Sequence, residues 1–175
     1  MYLDSISETR ILSLHPSCRL IFTSAYREVN DGVLFRGRSK CRVACGLRGP
    51  VQQHQFWQQG REVPGKIITN ADSWQSFHQY GLGADLVLLV DRDGNGTYES
   101  VSYNLGEDIN GDHQADWLQM LEVFKAHGFE LGREWQGKFK ESPHVQMTFG
   151  HSWKTLYQLK KQNSVDANGY VLLGR

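Results

Sequence analysis

The sequence lacks the usual marks of a nucleic-acid binder, a disulfide-stapled domain or a membrane protein. Nineteen Lys and Arg against nineteen Asp and Glu leave a formal net charge of +0, so no global field is available to hold a polyanion, and nucleic acid is excluded as a partner class. The three cysteines, Cys18, Cys41 and Cys45, cannot all pair with one another and none has CxxC spacing; they read as reduced core thiols. The longest apolar run, Leu86 to Val90, is far short of the ~20 residues that span a bilayer, which excludes membrane insertion. Residues 1–10 carry Asp4 and Glu8 and have no basic start, apolar stretch or cleavage site. The expectation is therefore synthesis in a cytoplasm without a signal peptide.

With four prolines, no repeat and no Pro/Ser-rich linker in 175 residues, the chain reads as one domain, large enough to bury a core. Ser5–Leu14 and Pro16–Glu28 are predicted as helices, parted by Pro16. Arg42–Cys45 is a short strand, Val51–Gln59 a helix ended by Gly60, and Lys66–Thr69 extended. Asp85–Val90 has the continuous branched apolar run of a strand covered on both faces. Tyr98–Tyr103 pairs with it across the turn Asp91–Gly96. Asp116–His127 places Trp117, Leu121 and Phe124 at i, i+4 and i+7. Val145–Thr148 is the last strand and Ser152–Lys161 a closing helix. Strands and helices alternate without a βαβ rhythm, which predicts an α+β fold built on a small mixed or antiparallel sheet flanked by helices.

The chemistry concentrates in Ser76-Phe77-His78-Gln79-Tyr80-Gly81-Leu82-Gly83-Ala84-Asp85, which sets a histidine in a glycine-interrupted loop and a carboxylate at the mouth of a buried apolar strand. An ionised Asp there is costly to desolvate unless a cation compensates, and a divalent metal shared with His78 does so. Gly81 and Gly83 allow the tight fold-back this needs. Glu141-Ser142-Pro143-His144 supplies a third ligand, His144, just before another strand. Two histidines and one carboxylate leave zinc an open position, the catalytic arrangement, and the spare Glu141 is the natural general base.

These blocks, SxHxxGxxxD followed by ExPH, resemble the zinc peptidases of the D-alanyl-D-alanine carboxypeptidase and L-alanyl-D-glutamate endopeptidase family, peptidase family M15, and especially its phage endolysin-like branch. A further block, Gly46-Leu47-Arg48 with Gln53 to Arg61 downstream, matches the family's GxR stretch and its QxxLYxxGR segment. The resemblance covers Arg42 to Gly150. It implies a hedgehog/DD-peptidase-like fold, with a catalytic core at about 42–150, an amino-terminal helical stretch at 1–41 and a closing helix and tail at 151–175. It also implies zinc on His78, Asp85 and His144, Glu141 as the catalytic acid–base, and Arg48 and Ser76 on the substrate side. The substrate implied is the peptide stem of peptidoglycan, cut between L-alanine and D-glutamate, by a monomer that reaches the wall or periplasm through a holin or an export route. Departures are Gly83 for alanine, Gly49 for Ser or Thr, Phe56-Trp57 for Leu-Tyr, and Gly132-Arg133-Glu134-Trp135 for Gly-Gly-Asp-Trp. Alternatives within this frame are a D-Ala-D-Ala carboxypeptidase, a wall peptidase used for protein release, and a non-catalytic wall-binding scaffold, for which Glu141 has no use.

Two acidic stretches stand outside that reading. Asp91, Asp93 and Asn95, and likewise Asp108, Asn110 and Asp112 with Asp116 beyond, offer oxygens at alternate positions, as a calcium loop opens. Neither has the Glu expected at the twelfth place. The simpler readings are a hairpin turn for the first and a helix cap by Asp112 or Asp116 for the second. A calcium-binding interaction domain built on these alone leaves His78, Asp85 and His144 unexplained. His15, His54, His113, His127 and His151 have no partner at metal spacing. Trp117, Phe124, Trp153 and Tyr157 read as core, while Trp74 and Trp135 either line a cleft or pack.

Overall fold

The computed structural model describes residues 4–136 and 140–174. It is an α+β fold, with five helices around a five-stranded antiparallel sheet among those residues. Helices α1 (Ser5–Leu12) and α2 (Pro16–Val29) come first. Asp4 caps α1 by accepting from the Ser7 amide, and Pro16 opens α2, where a missing N–H costs nothing. Strand β1 (Ser39–Cys45) and helix α3 (Pro50–Gln58) follow. The 3₁₀ turn Phe77–Tyr80 leads into β2 (Gly83–Val90). After β3 (Ser100–Ser102) come α4 (Asp116–Ala126), β4 (Glu130–Leu131), β5 (His144–Gln146) and α5 (Trp153–Lys161). None of the described helices is long and apolar enough to cross a membrane.

β2 is the centre of the sheet and, as its apolar run predicts, is almost wholly buried. β1 covers one edge from Ser39↔Val90 to Cys45↔Asp85, with a bulge between Val43 and Cys45. The other edge is divided: β5 pairs Gly83–Asp85 and β3 pairs Leu88–Val90. The core packs α2 and α4 beside the sheet, with Phe22 against Phe124 (ring centroids 5.0 Å) and Phe129 (5.5 Å). Trp117 is buried and donates its indole N–H to Ser102 O at 3.0 Å.

Three expectations fail. Lys66–Thr69 forms no strand; its residues other than Thr69 are exposed, and its partners are side chains, Gln59 Nε2 donating to Lys66 O and Arg61 Nη1 to Thr69 O. Asp116 does not cap α4: the N-cap is Ala115 with no side-chain bond, and Asp116 is the first helical residue, fully buried. Asp112 accepts from Gln114 N one turn earlier and is not the cap either. The two-residue β4 and the turn Gly132–Glu134 are too short to leave a periodic signal.

Candidate metal centre

Strand register places the chemistry. On one rung Cys45 faces Asp85, and Asp85 faces His144 across β5; paired residues project to the same side of a sheet. His78 arrives from the 3₁₀ turn before β2. Ser76 caps that turn, its Oγ accepting from the His78 amide while Gln79 reaches back to the Ser76 amide. Gly81 ends it at φ 70°, and a Cβ there would lie 2.7 Å from the His15 nitrogen. Gly83 acts differently from the expected turn: it is extended within β2, and a Cβ on it would lie 2.9 Å from His144 Cε1. Gly132 allows a similar approach, since a Cβ would come within 2.5 Å of Glu141 O.

Three acceptor atoms converge. His78 Nε2 and His144 Nδ1 each lie 3.2 Å from Asp85 Oδ1 and 3.2 Å from one another. Both imidazoles are buried, and the opposite ring nitrogen of each has a fixed task. His78 Nδ1 faces Gly46 O at 2.8 Å, which can only accept, so this nitrogen carries the proton. His144 Nε2 faces Gln146 Oε1 at 3.1 Å. The amide is oriented by its Nε2 donating to Glu130 Oε2 at 3.0 Å, and Thr148 Oγ1 donates to the other Glu130 oxygen at 2.6 Å. Both metal-side nitrogens therefore present lone pairs toward a carboxylate oxygen.

Three lone pairs aimed at one point without a proton repel, and either a proton or a metal ion resolves the conflict. Burial by itself would lower the His78 pKa, but the Asp85 carboxylate overrides it and pushes the value up to about 10, while Asp85 is held well below the carboxylate range. A zinc ion with ligands at ~2.0–2.2 Å in a tetrahedron separates its donors by about 3.3–3.6 Å, close to the spacing here. The donor set, two imidazoles and one carboxylate with outer hydrogen bonds orienting each ring, is that of a catalytic zinc site. The residues fit zinc.

Around this triangle lie the other predicted residues. Glu141 Oε2 is 3.8 Å from His144 Nδ1, near the site without closing it. Burial and the Asp85 charge push its carboxyl above the usual range, against the pull of His144, His78 and Arg48. Arg48 donates to Asp85 Oδ2 at 3.3 Å and to Gln53 Oε1 at 2.9 Å, and its guanidinium lies over the Phe56 ring. Its backbone N–H bonds His78 O, tying the Gly46–Arg48 turn to the metal turn. Ser76 borders the same cleft, but its hydroxyl is committed to the cap. The cleft holds about 740 Å³ and is walled by Phe56, Ile68, Trp135, Glu141 and Trp153 as well as the triangle.

Some positions differ from expectation. Cys18 and Cys41 are buried thiols, but half-buried Cys45 lies with His78 and Asp85 in one possible ligand group and accepts from Arg48 Nη2 at 3.3 Å. The β1 bulge turns it there, and nothing in its neighbours along the chain signals that. Trp153 lines the cleft instead of the core. Trp135 also lines it, tilted on His144 at 5.1 Å, whereas Trp74 packs between Tyr80 and Tyr157. Gln146 and Glu130 were missed; an alternate-residue HxQ on a short strand was the available signal. Asp91, Asp93 and Glu99 gather in the β2–β3 connection, and Asp108, Asn110 and Asp112 in the loop before α4, both away from the triangle's rung.

The fold and this cleft are similar to those of known peptidases. Residues 69–147, which include His78, Asp85, Glu141 and His144, match the peptidase M15 family model described as D-alanyl-D-alanine carboxypeptidase. Over 102 residues it is 36% identical to the Bacillus subtilis (strain 168) protein named peptidoglycan L-alanyl-D-glutamate endopeptidase CwlK, covering 58% of this chain and 57% of that relative. The chain thus spans little more than half the length of the curated relative it matches. The crystal structure of Serratia marcescens L-Ala D-Glu endopeptidase ChiX shares the fold, with TM-score 0.55 and 19% identity over 85% of this chain and 91% of that one.

Proposed function

We propose that this chain is a zinc-dependent peptidoglycan peptidase that hydrolyses the stem peptide between L-alanine and D-glutamate. The observation that carries the reading is the triangle of His78 Nε2, His144 Nδ1 and Asp85 Oδ1, 3.2 Å on each side, with Glu141 beside it in an open cleft. The name of the 36%-identical relative supports the choice of bond.

His78, Asp85 and His144 would hold the metal. When bound, zinc supplies electrophilic polarisation of the scissile carbonyl and acidifies water. Glu141 takes the proton from the attacking water and delivers it to the leaving amine nitrogen, so that the amide C–N bond breaks as the new C–O bond forms. Its half-buried, raised-pKa carboxyl suits that exchange near neutral pH. Arg48, fixed by Gln53, Asp85 and Phe56, orients the peptide by its charge and steadies the developing oxyanion. Ser76 acts on substrate indirectly, by fixing the His78 turn.

The chain would act as a monomer at the wall after synthesis in the cytoplasm, reaching it through a holin-type pore or an export route. The test is digestion of defined muropeptides with and without a chelator, with products identified by mass. Cleavage between L-alanine and D-glutamate, lost on chelation and restored by zinc, is the expected result. Release of terminal D-alanine instead would make the chain a carboxypeptidase, and metal-independent cleavage would overturn the reading.

A further inference from the structure

Helix α3 buries one residue, and it is an amide: Gln53 is 0% exposed. Glutamine is mostly an exposed residue, and a buried one is tolerated where its polar atoms are paired. Both ends of this one are. Its Oε1 accepts from Arg48 Nη1 at 2.9 Å, while its Nε2 donates to Ala71 O at 2.7 Å and lies 3.5 Å from Thr69 Oγ1. Arg48 and the stretch 69–71 both line the cleft, so one side chain joins two of its walls.

Each wall depends on that link. The stretch 69–71 is neither helix nor strand, and it is held to α3 and the turn after it by side chains. Gln53 takes Ala71 O, and Arg61 donates Nη1 to Thr69 O and Nη2 to Asn70 Oδ1, each at 3.0 Å. On the other wall, Arg48 Nη2 makes two longer contacts, 3.3 Å to Asp85 Oδ2 and 3.3 Å to Cys45 Sγ. Its Nε is buried with no hydrogen-bond partner among the described residues. A guanidinium fixed through one nitrogen pivots about it, whereas one fixed through two has its fork aimed. Phe56 packs on one face at 4.9 Å, which leaves rotation within the plane free.

We propose that Gln53 is a positioning residue that aims the Arg48 fork by tying it to the cleft wall 69–71. Being wholly buried, Gln53 cannot itself touch a substrate and acts only through the two groups it joins. This role rests on the reading of Arg48 as the group that orients the stem peptide, and it adds what sets the direction of that group.

The experiment compares Gln53→Met and Gln53→Glu with the native protein, alone and combined with Arg48→Lys. Methionine keeps the length and loses both hydrogen bonds; glutamate keeps an acceptor for Nη1 and loses the donor to Ala71 O. In muropeptide digestion Gln53→Met should raise KM by about tenfold, the scale of a lost hydrogen bond to a charged group, with a smaller fall in kcat. Gln53→Glu should recover part of that loss. On the Arg48→Lys background, Gln53→Met should cost no more than about twofold further, the scatter of independent effects. A second measurement needs no substrate. In nitrogen-15 NMR spectra of the full chain, the native protein and Gln53→Glu should show separate Arg48 Nη1 and Nη2 signals, assigned by their loss in Arg48→Lys, and Gln53→Met should merge them as the guanidinium rotates.

Fully additive losses in the double variant, or separate Arg48 signals in Gln53→Met, would overturn the role. Should Gln53→Met not fold, Gln53→Glu decides: merged Arg48 signals, or a rise in KM that persists in full on the Arg48→Lys background, would count against it. If the native protein leaves the L-alanyl-D-glutamyl bond intact, the peptidase reading falls, while the NMR comparison still decides what aims Arg48.

Discussion

The metal centre and the acidic loops both gather electronegative atoms, and they satisfy them in opposite ways. At the centre, His78 and His144 spend their outer nitrogens on Gly46 O and Gln146 Oε1 and turn bare lone pairs inward. In the β2–β3 loop, Asp91 turns its oxygens toward the Gly94, Asn95 and Gly96 amides and is content without an ion. A cluster of ligand-type residues is therefore informative only once its existing hydrogen bonds have been assigned. What marks a binding point is acceptors that converge with no donor left over.

The largest effect that sharpens this contrast is His78→Ala, which opens the triangle. It should abolish both zinc retention, measured by elemental analysis, and muropeptide cleavage; an active zinc-free variant would contradict the assignment. Next, Glu141→Gln should keep zinc but reduce turnover by about 10²–10⁴-fold, the usual range for a general base, and normal cleavage would show that another group moves the proton. Gln146→Leu probes the outer layer. With His144 Nε2 unpaired, zinc affinity should fall by roughly 10–100-fold, read by competition with a chelating dye, while a variant that binds zinc normally would show that the Glu130–Gln146 chain is decorative. Arg48→Lys keeps the charge and loses the fork, so KM for the muropeptide should rise more than kcat falls. Smallest is Asp91→Asn. Although burial opposes it, the Gly96, Gly94 and Asn95 amides hold the Asp91 carboxyl below its ordinary value. Its stabilisation is full above the unfolded value near 3.8 and is lost as pH falls through the lower folded value. The native protein should therefore lose melting temperature faster than Asp91→Asn on acidification below about pH 4, where an unperturbed Asp titrates.

The same contrast explains what could be read before any coordinates. His78, Asp85, His144 and Glu141 were legible because each sits in a short segment whose local chemistry is odd: a carboxylate opening an apolar strand, a histidine after proline. β2, α2 and α4 were legible because long apolar periodicities survive tertiary packing. Cys45 and Trp153 were not, since a β-bulge and the docking of α5 decide where they point, and both are consequences of pairing between distant strands and helices. Gln146 and Glu130 share a cross-strand pair through β4, and a two-residue strand leaves no pattern to find. Asp116 looked like a cap because caps are the common use of Asp before a helix; its burial under Ser39 depends on β1.

The divided outer edge of β2 has an evolutionary corollary. His144 and Asp85 stand 59 positions apart, yet their spacing in space is set by one rung of backbone pairing and not by the length of what lies between. An insertion in an exposed turn between them can lengthen a loop while that pairing stays fixed. The largely exposed stretches 92–97 and 103–114 are where such a chain can change length without moving that rung.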